Sequence, residues 1–188
     1  MKSPLFILII FLFGIHAVHA QEQSAADSLA FPSFDCGIVQ NKQKLDKKPF
    51  ASTPALYLRV NNSDYVYATL QLGKRKNNLF VYIQILDKNV CVKKDEVLDI
   101  FFKTGEVITY KNGFSLNCDG FFAKQLSKKE WEKLRLNDIE LIKLYTYKKN
   151  YELYVSEVQN IDIDNQLDCL SAYKIKKTDE IKIKKEKQ

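Results

Sequence analysis

Residues 65–72 (YVYATLQL) and 79–86 (LFVYIQIL) both have strand composition, and six polar residues, Gly73 to Asn78, separate them. Pairing Leu72 with Leu79 sets Val66 opposite Ile85, Ala68 opposite Ile83 and Leu70 opposite Val81, so one face of the hairpin is wholly apolar. A slip of one residue would mix the two faces, which ties the register to burial. The second face carries Tyr65, Tyr67, Thr69, Gln71, Phe80, Tyr82 and Gln84, an aromatic and polar set suited to cover by a loop, a helix or a partner. The expected tip presents Lys74, Arg75 and Lys76.

Other segments extend this hairpin pattern. Residues 55–60 form a strand that stops at Asn61-Asn62-Ser63. Residues 96–102 and 106–111 form a hairpin about Thr104-Gly105, and 139–147 with 151–155 form another about Lys149-Asn150. Ser127 and Glu130 make a capping box ahead of a helix over 128–136, whose Trp131 and Leu134 share a side. Ile163, Leu167, Leu170 and Tyr173 fall at helical spacing over 162–173. Residues 34–54 read as loops with one short strand, and 112–126, with two glycines, as an irregular connection. The sum is an α+β fold: an antiparallel, hairpin-dominated sheet of about seven strands with two helices in a single domain.

The N-terminus sets the compartment. Lys2, the apolar run Leu5–Phe13, and Val18 and Ala20 at the −3 and −1 positions read as a signal peptide over 1–20. The expected organisation is that signal, a leader over 21–33, the domain over 34–173 and a basic tail over 174–188. Cleavage near Ala20 leaves 168 of the 188 residues, and removes both histidines (His16, His19) and Met1. Ser-His-Asp and Cys-His catalysis and His-ligated metals are thereby excluded. No later segment approaches the length of a membrane helix, so the mature chain is expected to have no transmembrane segment and to be periplasmic or extracellular.

Export permits disulfides, and four cysteines allow three connectivities. If Lys103 faces Glu106, an unbroken ladder carries Cys91 opposite Cys118, which leaves Cys36 to join Cys169. Buried free thiols are the alternative. No CxxC occurs, so zinc and thioredoxin-type readings are weak.

The net charge of +6 is concentrated at the end: residues 174–188 hold seven Lys against Asp179, Glu180 and Glu186. For an exported chain the counter-surface is an anionic envelope component or an acidic protein, not nucleic acid. Catalytic patterns are incomplete. Asn160, Asp162 and Asp164 match the start of a calcium loop, but Asn165 stands where Gly is needed and Ser171 where a bidentate Glu is needed. Helix capping explains them better. Asp95 and Asp99, with Glu96 between them, lie about 13 Å apart on one strand face, too far for a glycosidase pair. No GxSxG or phosphate-binding loop is present. No cofactor and no metal are expected. The reading is a non-enzymatic binding or envelope-assembly module acting through Tyr65, Tyr67 and Tyr82 and through the Lys74, Arg75, Lys76 tip. The alternatives are a secreted hydrolase using carboxylates or a Ser-Lys pair, and a periplasmic inhibitor or immunity protein. For the tip itself, the plain alternative is solubility of a hairpin end.

The run from Cys91 through Phe101-Phe102-Lys103-Thr104-Gly105-Glu106 to Asn117-Cys118-Asp119-Gly120, with Asp168-Cys169-Leu170 near the end, forms a pattern over roughly residues 55–172. It resembles small exported β-rich proteins of uncharacterised function of Bacteroidetes type. The resemblance implies a β-rich fold with a late helix carrying Cys169, and no activity.

Overall fold

Ten strands and two helices follow the order β1 (Val39–Leu45), β2 (Lys48–Ser52), β3 (Leu56–Arg59), β4 (Val66–Arg75), β5 (Asn78–Ile85), β6 (Val97–Phe102), β7 (Val107–Lys111), β8 (Phe121–Leu126), α1 (Lys128–Leu136), β9 (Ile139–Tyr145), β10 (Asn150–Tyr154) and α2 (Glu157–Ala172). The structure, a computed structural model, describes residues 36–45, 48–60 and 65–176; the expected signal peptide, the leader and most of the basic tail lie outside the described residues. All strand pairings are antiparallel and join one sheet, so the fold class is α+β. Among the described residues no helix is long and apolar enough to cross a membrane.

The β4–β5 hairpin buries the expected face. Ala68, Leu70, Leu72, Val81, Ile83 and Ile85 are all inside. The register differs from the expected one by two residues: Leu72 pairs with Val81 and Ala68 with Ile85. A shift of two keeps every side chain on its face. Its cause is the turn, which is not six residues long. Arg75 pairs with Asn78, leaving only Lys76 and Asn77 in the loop, and Lys76 takes φ 56°. Positive φ at the first of two turn residues gives the twist that paired strands need.

From this hairpin the sheet runs β8-β5-β4-β3-β10-β9-β6-β7. One edge of β4 is divided between two partners. β3 takes Val66 to Leu70, and β2 takes Gly73 to Arg75. Thr53 spans the break, its N–H donating to the Leu72 carbonyl and its hydroxyl accepting from the Leu72 N–H. At the far end of the path, just past β7, the Gly113 N–H donates to the Ala123 carbonyl of β8 at 2.8 Å. The Asn112 side-chain oxygen accepts from the Ala123 N–H at 3.0 Å. The sheet therefore curls until its first and last strands meet, with the apolar core inside.

Strand β8 replaces the irregular connection expected over 112–126, and β1 and β2 replace most of the loop expected over 34–54. Phe122, Ala123 and Leu126 of β8 are buried. Two glycines masked that strand in the sequence, yet Gly120 only bounds it: with φ +74°, a Cβ there would stand 2.5 Å from the Ile85 carbonyl oxygen.

The β6–β7 ladder is one residue off the expected one. Leu98 pairs with Tyr110 and Ile100 with Ile108, because the turn is the three residues Lys103 to Gly105, closed by the Phe102 N–H donating to the Glu106 carbonyl at 2.9 Å, and Gly105 takes φ +84°. That slip brings Leu98, Ile100 and Tyr110 together on the buried face. Toward the cysteines, Asp95 takes φ +66° and the register moves by one, so that Val92 bridges Asn117. Cys91 and Cys118 consequently do meet, and both expected disulfides are present: Cys91–Cys118 and Cys36–Cys169.

Helix α1 has the expected capping box at Ser127 and Glu130. Helix α2 begins five residues earlier than expected, where Ser156 and Gln159 cap each other's backbone reciprocally. Its early residues Val158 and Ile161 are exposed, which hid that turn from an apolar-spacing criterion. Asn160 is buried and acts as a strand partner for Ile139 of β9: its oxygen accepts from the Ile139 N–H at 2.7 Å, and its amide donates to the Ile139 carbonyl at 2.9 Å.

Tyr110 sits in the core, and its hydroxyl has no hydrogen-bond partner among the described residues. Burial, with a smaller contribution from the Glu130 charge, pushes its pKa far above the ordinary phenol value. In the unfolded chain it ionises near pH 10. Above that pH the unfolded state therefore holds fewer protons than the native state, and stability falls as pH rises. Tyr110→Phe is expected to change neutral-pH stability by less than about 1 kcal/mol. It should flatten the alkaline loss between about pH 10 and 11.5, as read by urea unfolding. An unchanged alkaline slope would refute this role.

Candidate functional site

The expected tip and the expected aromatic face separate in the structure. Tyr67 and Arg75 are eight residues apart on β4, about 26 Å along a strand. Tyr65 is 76% exposed, whereas Tyr67 and Tyr82 are half-buried. Tyr82 belongs to an aromatic cluster, with Phe50 edge-on at 5.5 Å, Phe80 stacked at 5.9 Å and Phe114 edge-on at 6.4 Å. Gly73 makes room for this: a Cβ there would stand 2.4 Å from the Phe50 ring. The aromatic face is thus covered at its centre by β2 and by the loop after β7.

Tyr65 and Tyr67 border a separate depression of about 320 Å³ with Leu86 and Asp87. Lys149 lies over the Tyr67 ring at 5.9 Å and over the Tyr151 ring at 4.7 Å, and it pairs with Asp87 at 2.9 Å. The hydrogen bond between them raises the Lys149 pKa and lowers that of Asp87, so each keeps the other charged.

At the tip the three cations have different fates. Lys74 is only 8% exposed. It points inward with Leu70 and Leu72, as strand parity requires. Its Nζ donates to the carbonyls of Leu170, Ser171 and Tyr173 at 2.9, 2.9 and 2.7 Å. It therefore caps the C-terminus of α2 and is not a solvent-facing contact residue. Desolvation lowers its pKa from the ordinary lysine value. Arg75 lies over the Phe80 ring at 5.3 Å. Lys76, in the turn, is exposed.

Two grooves flank this tip. One, of about 540 Å³, runs between the turn and the chain after α2 and is lined by Lys76, Tyr173, Lys174 and Lys176 among others. The other, of about 460 Å³, lies toward α1 and includes Asn78, Gln125, Lys128 and Trp131. They share Lys74, Asn77 and Ser171, and among the described residues no Asp or Glu lines either. The start of the tail is fixed in place as a wall: the Gln40 side chain donates to the Lys176 carbonyl at 2.7 Å and accepts from the Lys176 N–H at 2.9 Å. Sequence reasoning missed Lys128, Trp131 and this tail contact. The lysine run gave a signal for residues 174–176, but nothing local linked α1 to the hairpin turn.

The carboxylates singled out in the sequence have structural partners. Glu96 accepts from the Lys93 N–H at 2.9 Å and the Tyr147 N–H at 3.3 Å. Asp99 accepts from the Thr109 hydroxyl at 2.6 Å and stands opposite Lys143, which pairs with Glu152 at 2.8 Å. This is a cross-strand polar ladder. Asp95 occupies the positive-φ turn before it. Asn160, Asp162 and Asp164 lie within α2, and a helix turns Asp162 to the opposite side from the other two. Among the described residues no group of three His, Cys, Asp or Glu side chains could hold a metal ion. Two disulfides fit a chain that folds outside the cytoplasm.

No protein-family model matches the chain, and neither a curated protein nor a solved structure matches it.

Proposed function

We propose that the protein is an exported, non-enzymatic binding module, periplasmic or extracellular after cleavage near Ala20, that holds an anionic envelope component or acidic partner at the hairpin tip. The observation that carries this reading is the pair of joined grooves lined by Lys76, Lys128, Lys174 and Lys176 with no carboxylate among their described lining residues; of the four, Lys128 pairs with Glu132 at 3.8 Å outside that lining. Positive potential in a concave, low-dielectric surface concentrates anions and raises their rate of encounter. The depression at Tyr65 and Tyr67 differs in kind, because the Asp87–Lys149 pair neutralises its charge.

The test is retention of the purified protein on an immobilised panel of polygalacturonate, polyglutamate and phosphatidylglycerol vesicles at increasing salt. At least one polyanion is expected to hold it, with binding lost toward about 0.5 M salt as screening shortens the reach of each charge. Lys76→Glu with Lys174→Glu should weaken that binding by about tenfold or more. Binding that ignores these reversals but is lost in Tyr65→Ala with Tyr67→Ala would move the contact surface to the other end of the sheet.

A further inference from the structure

We propose that the two grooves form one track for an extended anionic polysaccharide, with acid groups taken by the lysines on one side of the turn and sugar hydroxyls by amides on the other. This rests on the reading of the tip as an anion-binding surface and names the ligand class for it. The grooves are contiguous through Asn77 and Ser171, so a chain molecule can cross the turn without leaving the protein surface.

Their linings differ in chemistry. On the tail side the polar groups are chiefly cations, Lys76, Lys174 and Lys176, which match carboxylate or sulfate. On the α1 side they are mainly neutral: Asn77, Asn78, Gln125 and Ser127, beside two cations that already have partners, Lys74 on the α2 carbonyls and Lys128 with Glu132 at 3.8 Å. The side-chain amides of Asn77, Asn78 and Gln125 have no hydrogen-bond partner among the described residues. Each amide both donates and accepts, which is what a sugar hydroxyl offers in return. Trp131 and Leu79 add apolar surface on which the C–H face of a sugar ring can rest.

A bilayer surface fits less well. Docking to a bilayer needs exposed apolar side chains that insert between lipids. The large apolar side chains of these grooves, Leu79, Leu126, Trp131 and Ile175, are buried or half-buried, and the exposed Ala172 is too small to insert. An acidic protein would meet the cations and pair its own backbone with the amides, so polyglutamate binding is what separates it from a polysaccharide.

Trp131 is the only tryptophan of the chain and lines the track, so its emission reports occupancy directly. The experiment titrates the purified protein, both disulfides formed, with polygalacturonate, and separately with polyglutamate, phosphatidylglycerol vesicles and neutral dextran. Polygalacturonate is expected to give a saturable emission change that salt weakens. Lys76→Ala with Lys176→Ala should reduce the affinity by about 25-fold, about fivefold per cation. Asn77→Ala with Gln125→Ala should reduce it by on the order of tenfold while leaving any polyglutamate binding unchanged. Unaltered circular dichroism and melting temperature keep these comparisons valid.

If polyglutamate or vesicles bind as tightly as polygalacturonate, or if the amide variant binds polygalacturonate normally, the polysaccharide assignment fails and the anion-binding reading survives. If no polyanion binds, both fail.

Discussion

Replacing Cys36 and Cys169 together by Ser is expected to lower stability by about 5 kcal/mol, the largest effect of any paired substitution considered for this chain. The two residues are 133 apart in sequence, and the bridge closes nearly the whole described chain into one loop. In the chain-entropy account the gain grows with the logarithm of loop length. The second bridge, Cys91–Cys118, closes only 27 residues, and its removal should cost about 3.5 kcal/mol. It lies inside the longer loop and shortens it by about a fifth, which changes the expected cost by only a few tenths of a kcal/mol. Urea unfolding of the two double-serine variants measures both. A smaller loss from the long bridge than from the short one would reverse the predicted order and remove loop entropy as the explanation. The long bridge also has a local task. It ties Cys36, three residues ahead of β1, to the last turn of α2, and that turn forms part of the groove wall.

How far the sequence discloses this arrangement depends on whether a feature is local. The inner face of the β4–β5 hairpin was legible because parity alone decides it, and an error of two residues in register left every side chain on its side. The β6–β7 register was not so protected. Placing Lys103 opposite Glu106 gave the right disulfide from a ladder one residue out, since the positive-φ residue Asp95 restores the offset before Cys91. Strand β8 was obscured by flanking glycines that bound it without entering it. The edge strand β1 was obscured by polar composition, for an edge strand needs no apolar alternation, and β2, paired on both sides, by its five-residue length and its proline.

The binding region shows the same division. Lys76 and the tail lysines were visible as charge. Trp131 and Lys128 became neighbours of the turn only through the packing of α1 beside β8. Tyr82 was read as surface because its cover, Phe50 and Phe114, comes from segments more than thirty residues away on either side.

Lys74→Met is expected to destabilise the protein by about 3 kcal/mol, since charge-assisted hydrogen bonds contribute roughly 1.5–3 kcal/mol each and three that share one donor do not add fully. The last turn of α2 contains no basic residue. Its terminal carbonyls, which carry the negative end of the helix dipole, therefore depend on a cation delivered from a strand almost a hundred residues earlier. Methionine keeps the length and apolar stem of lysine, so the loss measures the ammonium group and not a cavity. A loss below about 1 kcal/mol by urea unfolding would show that water satisfies those carbonyls equally well. Because Lys74 and Cys169 hold the same helix end, their effects should also couple. With the Cys36–Cys169 bridge already removed, that end is freer to fray, and Lys74→Met should cost at least about 1 kcal/mol less than in the bridged protein. Strict additivity would instead mean that the two anchors act on independent structure. Coupling has a functional corollary, since Ser171 to Lys176 wall the groove beside Lys76. Loosening either anchor should weaken polyanion binding even though neither Lys74, turned inward to its three carbonyls, nor Cys169 has a charge to offer the ligand.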